Sequence, residues 1–426
     1  MESAIIRDRL KARRLNIQGG AVILNRRFLD DEQLLRSEQL AVLEEIFNTN
    51  VRDAEISEIT DHFAPVLRND HPFHLAIWGK SGTGKTLTIR YFLTLLAQIA
   101  AEAGIEVRNV HLDLSTPRPC FRALNDLACL LNASKRYRKG ISLEEMMGRI
   151  EERLADYKGY LVLFIDEVDN IRRDKDTFMS FLVRRLPQAI PSKLILVFAS
   201  NRLTWPDTLD PRVKSFLRLN ELIFKPYDAV DLQKILDIRV RKALNPKAIE
   251  PGVVEKIAAL SSREHGDARQ AVTLLSRSAY LAEKTGQPIT QDTVDRAALE
   301  LEQDKFVTMI RTAPVQLQLT MAAVIRAARS HRGSKLDSHV SYDTYHYLAT
   351  QVKVKSLTRR AFGDLLNELD MYCFIRTYVF SRGRYGRNRE ITLDLPTDTM
   401  EAVEKAIMVN LGLDTRQTMF AQTQLA

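Results

Sequence analysis

Between residues 74 and 224 the apolar residues gather in short runs of strand length, and the stretches between them repeat apolar positions every three or four residues. Five runs read as strands: 74–78, 107–113, 160–165, 194–200 and 221–224. Strand runs alternating with amphipathic helical windows predict a parallel sheet covered by helices on both faces. From residue 228 to about 302 the strand pattern stops. Leu232, Ile235, Leu236 and Ile238, then Val254, Ile257 and Leu260, then Ala271, Leu274 and Leu275 keep helical spacing and predict a small helical bundle. A third pattern begins near Ala313: helical windows 314–328, 341–352 and 357–370, then β-rich runs 372–380 and 390–395 joined by the Gly- and Arg-rich 381–389. Three helices and a hairpin predict a winged helix-turn-helix. No internal repeat is present, and the chain after Asp398 predicts one more helix. The expected domains are 1–227, 228–308 and 309–426.

Composition narrows the class. The 426 residues, 45% apolar and 27% charged, describe an ordinary globular chain with more than one core. No apolar run approaches the ~20 residues that span a bilayer, and the basic residues 7–14 lack the apolar stretch of a signal peptide. A cytoplasmic protein without a membrane partner is expected. Cys120, Cys129 and Cys373 show no C-x-x-C spacing, so neither zinc nor a disulfide is implied. The net charge is +8, and residues 310–426 hold 16 Lys and Arg against 11 Asp and Glu. A polyanion partner and a solvated basic surface both fit that excess, and charge alone leaves the choice open.

The clearest chemistry is Gly79-Lys80-Ser81-Gly82-Thr83-Gly84-Lys85-Thr86, a complete G-x-x-x-x-G-K-[ST] between a predicted strand and a helix predicted over 87–103. Its glycines let successive N–H groups and the helix N-terminus face phosphate, Lys85 reaches the β- and γ-oxygens, and Thr86 offers a hydroxyl to Mg²⁺. Asp166 and Glu167 follow the 160–165 strand, at the sheet end where ligands collect. Asp166 suits a metal, and Glu167 suits activation of an attacking water. Asn201 ends the 194–200 strand. In Gly266-Asp267-Ala268-Arg269 a cation stands at a helix start, against the macrodipole, which points to an anion nearby.

In this order the motifs resemble the AAA+ class of ATPases, a P-loop parallel sheet with a helical lid. Three further segments, Leu357-Thr358-Arg359-Arg360, Leu365-Leu366-Asn367-Glu368-Leu369-Asp370-Met371 and Ser381-Arg382-Gly383-Arg384-Tyr385-Gly386-Arg387, resemble the winged-helix end of archaeal origin-recognition and cell-division-cycle-type replication initiators. Leu209-Asp210-Pro211-Arg212-Val213-Lys214-Ser215 and Pro226-Tyr227-Asp228 are similar to central signatures of the same family, and the likeness runs over about residues 20–395. Two departures stand out. Arg36-Ser37-Glu38 occupies the place where the family shows a proline before an Arg-Glu pair, and Phe121-Arg122 follows Pro119-Cys120 where Tyr-Arg is usual.

The resemblance implies ATP or ADP with Mg²⁺ as cofactors. It implies Asn201 as first sensor, Arg269 as second sensor, Tyr227 and Arg239 enclosing the nucleotide, and Arg212 as a finger completing a neighbouring subunit's site. For DNA it implies a helical insertion over 115–140, with Arg118, Arg122, Lys135, Arg136, Arg138 and Lys139. It also implies a recognition helix led by Thr358, Arg359 and Arg360, and a wing with Arg382, Gly383, Arg384, Tyr385, Arg387 and Arg389. The implied partners are duplex DNA at replication origins, the replicative helicase and paralogous initiators. The implied activity is a weak ATPase whose slow hydrolysis works as a switch. A clamp-loader or remodelling motor and an ATP-responsive transcription regulator are the competing readings.

Overall fold

The computed structural model describes residues 22–29, 40–132, 140–330, 336–381 and 387–413. The chain divides into two compact units, Met1–Val294 and Asp295–Ala426.

In the first unit β1 (His74–Trp78), β2 (Val107–Asp113), β4 (Tyr160–Asp166), β6 (Lys193–Ser200) and β7 (Leu219–Ile223) form one parallel sheet in the order β2-β4-β6-β1-β7. Two short strands, β3 (Arg118–Pro119) and β5 (Ile171–Arg173), pair apart from it. Period-2 geometry splits each central strand between two cores. Leu161, Leu163 and Ile165 join Trp78, Leu196 and Phe198 on one face, while Tyr160, Val162 and Phe164 join Ile77 and Val197 on the other. Ahead of the sheet lie α1 (Leu40–Phe47) and α2 (Asp53–Leu67); α3 (Lys85–Glu102) follows β1. Ile59 and Phe63 of α2 and Ile89 and Leu93 of α3 cover the second face. The first is covered by Leu124 and Leu127 of α4 (Cys120–Leu130) and by Met146 and Ile150 of α5 (Leu143–Leu154). Each such side chain contributes roughly 1.5–3 kcal/mol by leaving water.

The last strand begins at Leu219, two residues before the sequence pattern suggests, because β1 pairs His74 with Leu219. Asn220 and Glu221 are exposed on this edge strand, which hides it from a search for apolar runs. A short α6 (Pro211–Lys214) precedes it. Residues 224–228 then lead from the sheet into α7 (Ala229–Ala243), α8 (Val253–Glu264) and α9 (Ala268–Thr285), the helical bundle that the three- and four-residue spacing predicts.

α10 (Gln291–Thr312) runs from the end of the first unit into the second. The second unit continues with α11 (Val315–Ser330), α12 (Ser338–Gln351) and α13 (Arg359–Met371), an antiparallel sheet and a closing helix, α14 (Thr397–Leu411). The sheet order is β8-β10-β9, with β8 (Leu336–Asp337), β9 (Ile375–Ser381) and β10 (Arg387–Leu393). Tyr345, Phe362, Leu366, Leu369 and Phe374 form the centre of its core. The first wing strand starts at Ile375 rather than at residue 372, since Cys373 takes a left-handed φ of 60° and ends the helix there. The architecture is thus the expected α/β parallel sheet with a helical lid, then a winged helix. Among the described residues no helix is long and apolar enough to cross a membrane.

Candidate functional site

Strands β4, β6 and β1 are neighbours and parallel, so their C-terminal ends bring together Asp166 and Glu167, Asn201, and the loop 79–86. The loop is shaped by glycine. Gly82 has φ of 73° and Gly84 of 84°, a region that other residues rarely enter. Both positions are also closed to any side chain: a Cβ on Gly82 would lie 1.7 Å from Asp267 Oδ1, and one on Gly84 would lie 2.3 Å from the Tyr227 hydroxyl.

Lys85 opens α3, is buried, and donates from Nζ to Gly79 O at 2.7 Å, Lys80 O at 2.8 Å and Asn201 Oδ1 at 2.9 Å. Burial pulls its ammonium down to about 8, against the upward pull of Asp166. A desolvated cation ringed by backbone dipoles is suited to an incoming anion. Thr86 donates from its hydroxyl to Asp166 Oδ2 at 2.5 Å. Burial alone would raise the Asp166 carboxyl. His111 Nε2 at 3.8 Å, the Thr86 hydroxyl and Lys85 outweigh it and hold the carboxyl below its ordinary range. Glu167 moves the other way, raised by burial and then by Asp166, Asp113 and Asp169. It sits at a left-handed φ of 52° and accepts a hydrogen bond from Asn170 Nδ2 at 2.9 Å, and that same Nδ2 reaches Leu114 O at 3.0 Å. Two carboxylates in adjacent positions thus acquire opposite shifts, an arrangement that separates a metal ligand from a base.

Ser81 to Thr86, Asp166, Glu167, Asn201, Tyr227, Arg239 and Arg269 all line one cavity; Gly79 and Lys80 contribute through their carbonyls on Lys85. Asp267 caps α9, accepting from Arg269 N at 2.8 Å and Gln270 N at 3.3 Å. Ala268 N donates to Gly82 O at 3.1 Å, so the start of this helix is hydrogen-bonded to the glycine loop. The Arg269 guanidinium reaches Ser81 Oγ at 3.5 Å. Arg239 is buried and donates to Phe28 O at 3.3 Å. Arg212 lies exposed on α6 and does not line the cavity. Residues 36–38 lie outside the described residues.

The cavity fits a nucleoside polyphosphate with a hard divalent cation. Its loop carries glycines at two left-handed positions, its buried Lys85 ammonium forms no salt bridge among the described residues, and Thr86 and Asp166 present oxygen donors side by side. Several contributors escaped the sequence reading. Ile46 and Phe47 of α1 and Ile235 of α7 give the cavity an apolar wall that would suit a purine. α1 precedes the first motif, and no spacing rule ties it to the site. Arg52 is another such residue: it is buried and donates to Thr83 O at 2.9 Å.

The residues expected at DNA are scattered over both units. Arg118 pairs with Asp126 of its own insertion, and Arg122 is exposed on α4. Lys135, Arg136, Arg138 and Lys139 lie outside the described residues, as do Arg382, Gly383, Arg384 and Tyr385. In the second unit Thr358 caps α13, accepting from Ala361 N at 3.4 Å, and Arg359 and Arg360 are exposed in its first turn. Arg359 lies over the Tyr342 ring at 5.2 Å, with Nη1 2.9 Å from His339 Nδ1. Arg387 pairs with Ser381 in the β-ladder, and Arg389 donates from Nη1 to Gly363 O of α13 at 2.7 Å.

Three family models match the chain in sequence order: an AAA domain over residues 68–204, a Cdc6 AAA+ ATPase-type lid domain over 233–299, and a CDC6 C-terminal winged helix domain over 308–403. ORC1-type DNA replication protein 1 of Sulfolobus acidocaldarius is 33% identical over 349 residues, covering 82% of this chain and 86% of that protein. Its counterpart in Aeropyrum pernix is 31% identical over 360 residues, covering 84% and 90%. The solved structure of the Aeropyrum pernix ORC1 protein in complex with DNA superposes with a TM-score of 0.66 at 31% identity, over 84% of this chain and 92% of that one.

Proposed function

Because the chain belongs to the ORC1-type DNA replication proteins, we propose that it is an ATP-dependent initiator that marks replication origins and helps recruit the replicative helicase. The observation that carries this reading is the joint presence, in one chain, of the Lys85–Asp166–Glu167–Asn201 constellation and a winged helix. In this reading 1–227 is the ATPase base, 228–308 its lid and 309–426 the DNA-binding domain.

Lys85 and the amides of 82–86 would hold the phosphates, Ile46, Phe47 and Ile235 the base, and Tyr227 and Arg239 the sugar side of the cavity. Thr86 and Asp166 would hold Mg²⁺, which supplies charge neutralisation between the terminal phosphates. Glu167 takes the proton of the attacking water, Asn201 orients that water, and Arg269 follows the terminal phosphate from the lid. Arg212 is assigned to a neighbouring subunit's site, with hydrolysis by a single copy slow, and its exposure on α6 is compatible with that role. Thr358, Arg359 and Arg360, the wing residues Arg382, Gly383, Arg384, Tyr385 and Arg387, and Arg118 and Arg122 of the insertion contact duplex DNA, while Arg389, expected there too, holds β10 to α13 through Gly363 O. The DNA complex of the 31% identical Aeropyrum pernix protein supports that assignment.

The test is where the protein sits on its chromosome, mapped by crosslinking and immunoprecipitation in growing and in arrested cells. One or a few sharp peaks at the start of newly made DNA are expected; peaks dispersed over promoters would replace the initiator with a transcription regulator.

A further inference from the structure

Arg52 stands 27 positions before the glycine loop, outside every motif, and three parts of the first unit converge on its guanidinium. Nη2 donates to Thr83 O of the glycine loop at 2.9 Å and to Lys225 O of the sheet-to-lid linker at 2.5 Å, and Nη1 donates to Glu55 of α2 at 2.6 Å. The plane of the guanidinium lies over Tyr227, Cζ 3.9 Å from the ring centroid, and the hydroxyl of that ring abuts Gly84. Arg52 is itself buried and held at a left-handed φ of 73°. A strained backbone beneath a buried cation persists only where surrounding contacts enforce it, and such positions gather at functional sites.

The contacts have a direct geometric consequence. In a trans peptide C=O and N–H point opposite ways, so fixing the Thr83 carbonyl also fixes the direction of the Gly84 N–H. The preceding plane is fixed likewise, because Gly82 O accepts from Ala268 N at the start of the lid helix α9. Two consecutive amides of the phosphate loop are therefore oriented by the linker side and the lid side of the cavity. The fork divides the work, Nη2 serving both carbonyls and Nη1 holding Glu55 while Cζ lies over Tyr227, whereas a lysine ammonium has a single nitrogen and no planar fork to make all these contacts at once.

We propose that Arg52 is a positioning residue that couples phosphate-loop occupancy to the linker 224–228, so that bound nucleotide is transmitted to the lid through one guanidinium. This rests on the reading of the cavity as a nucleotide site.

The test is a titration of full-length protein with a fluorescent ATP analogue, together with hydrogen exchange of residues 224–229 with and without ATP. The Arg52→Lys variant keeps the charge and loses the fork. It should bind about tenfold or more weakly and lose the ATP-dependent protection of 224–229 seen in wild type. Binding within about twofold of wild type with the protection intact would overturn the proposal. Should Arg52→Lys not fold, wild type still decides: linker amides that exchange equally with and without ATP would overturn it, and slowed exchange supports it. Lys85→Ala separates the two readings. If it too binds like wild type, the nucleotide site itself falls and Arg52 with it; if it loses binding while Arg52→Lys does not, the site stands and the coupling falls.

Discussion

Glu167 shows how one residue's surroundings set its chemistry. Its burial, and then its neighbours Asp166, Asp113 and Asp169, push its carboxyl upward, while Asn170 holds one oxygen in place. Replacing it with Gln keeps the shape and removes the proton acceptor that the proposed hydrolysis requires. Hydrolysis in Glu167→Gln should fall by about 10²–10⁴-fold with ATP and DNA binding retained, checked by single-turnover hydrolysis beside an equilibrium titration; loss of ATP binding would remove the role given to Glu167. Gly82 makes a different point. With φ of 73° and Asp267 Oδ1 1.7 Å from any added Cβ, Gly82→Ala should lower unfolding stability by about 1–3 kcal/mol and weaken ATP binding, both readable from a thermal melt with and without nucleotide. Gly82 falls on a variable position of G-x-x-x-x-G-K-[ST], between the fixed Gly79 and Gly84, and is legible in the sequence only as a third glycine within that loop. Asp267, which closes the same space from the lid, is legible there only as a helix cap, because its second job depends on a meeting of residues 185 positions apart.

At the scale of elements, the central strands β1, β4 and β6 are the most readable because two-sided burial leaves an uninterrupted apolar run: β1 has the expected bounds, and β4 and β6 differ by one residue, while the partly buried edge strand β2 is found at its expected bounds from alternate apolar residues. The edge strand β7 and the helices α1 and α2 were not readable in the same way, since exposure mixes polar residues into their patterns. β1 carries a further consequence at its first residue. His74 Nδ1 accepts from Leu196 N at 3.2 Å, a contact only the neutral ring can make, and burial, then the like charges of His71 and His62, pull its pKa from 6.5 to about 4. A folded-state value below the unfolded one means stability is full above pH 6.5 and is lost as pH falls toward 4, by at most about 3 kcal/mol. The His74→Asn variant keeps an acceptor and cannot titrate, so its melting temperature should fall less than that of wild type between pH 7 and 4.5. Equal falls would show that His74 does not set the acid sensitivity of the sheet.

Across the whole molecule, nucleotide chemistry and the winged helix occupy different compact units, and the basic excess of residues 310–426 lies with the second. Each phosphate neutralised steepens the log-log dependence of DNA affinity on salt by roughly 0.9, so four wing arginines taken from sequence alone would contribute about −3.6. The structure describes the side chain of one of those four: Arg389 donates to the Gly363 carbonyl of α13 and so ties β10 to that helix, a link that spacing along the chain cannot reveal. Arg382→Ala combined with Arg384→Ala should therefore flatten the slope by about 1.8 and leave the melting temperature unchanged. Arg389→Ala should do the reverse, lowering the melting temperature while moving the slope little. Fluorescence anisotropy over a range of salt concentrations, with a melt on each variant, checks both. An Arg389→Ala slope flatter by about 0.9 would mean that DNA draws the guanidinium off Gly363, and an unchanged slope in the double variant would place the DNA contacts outside the wing.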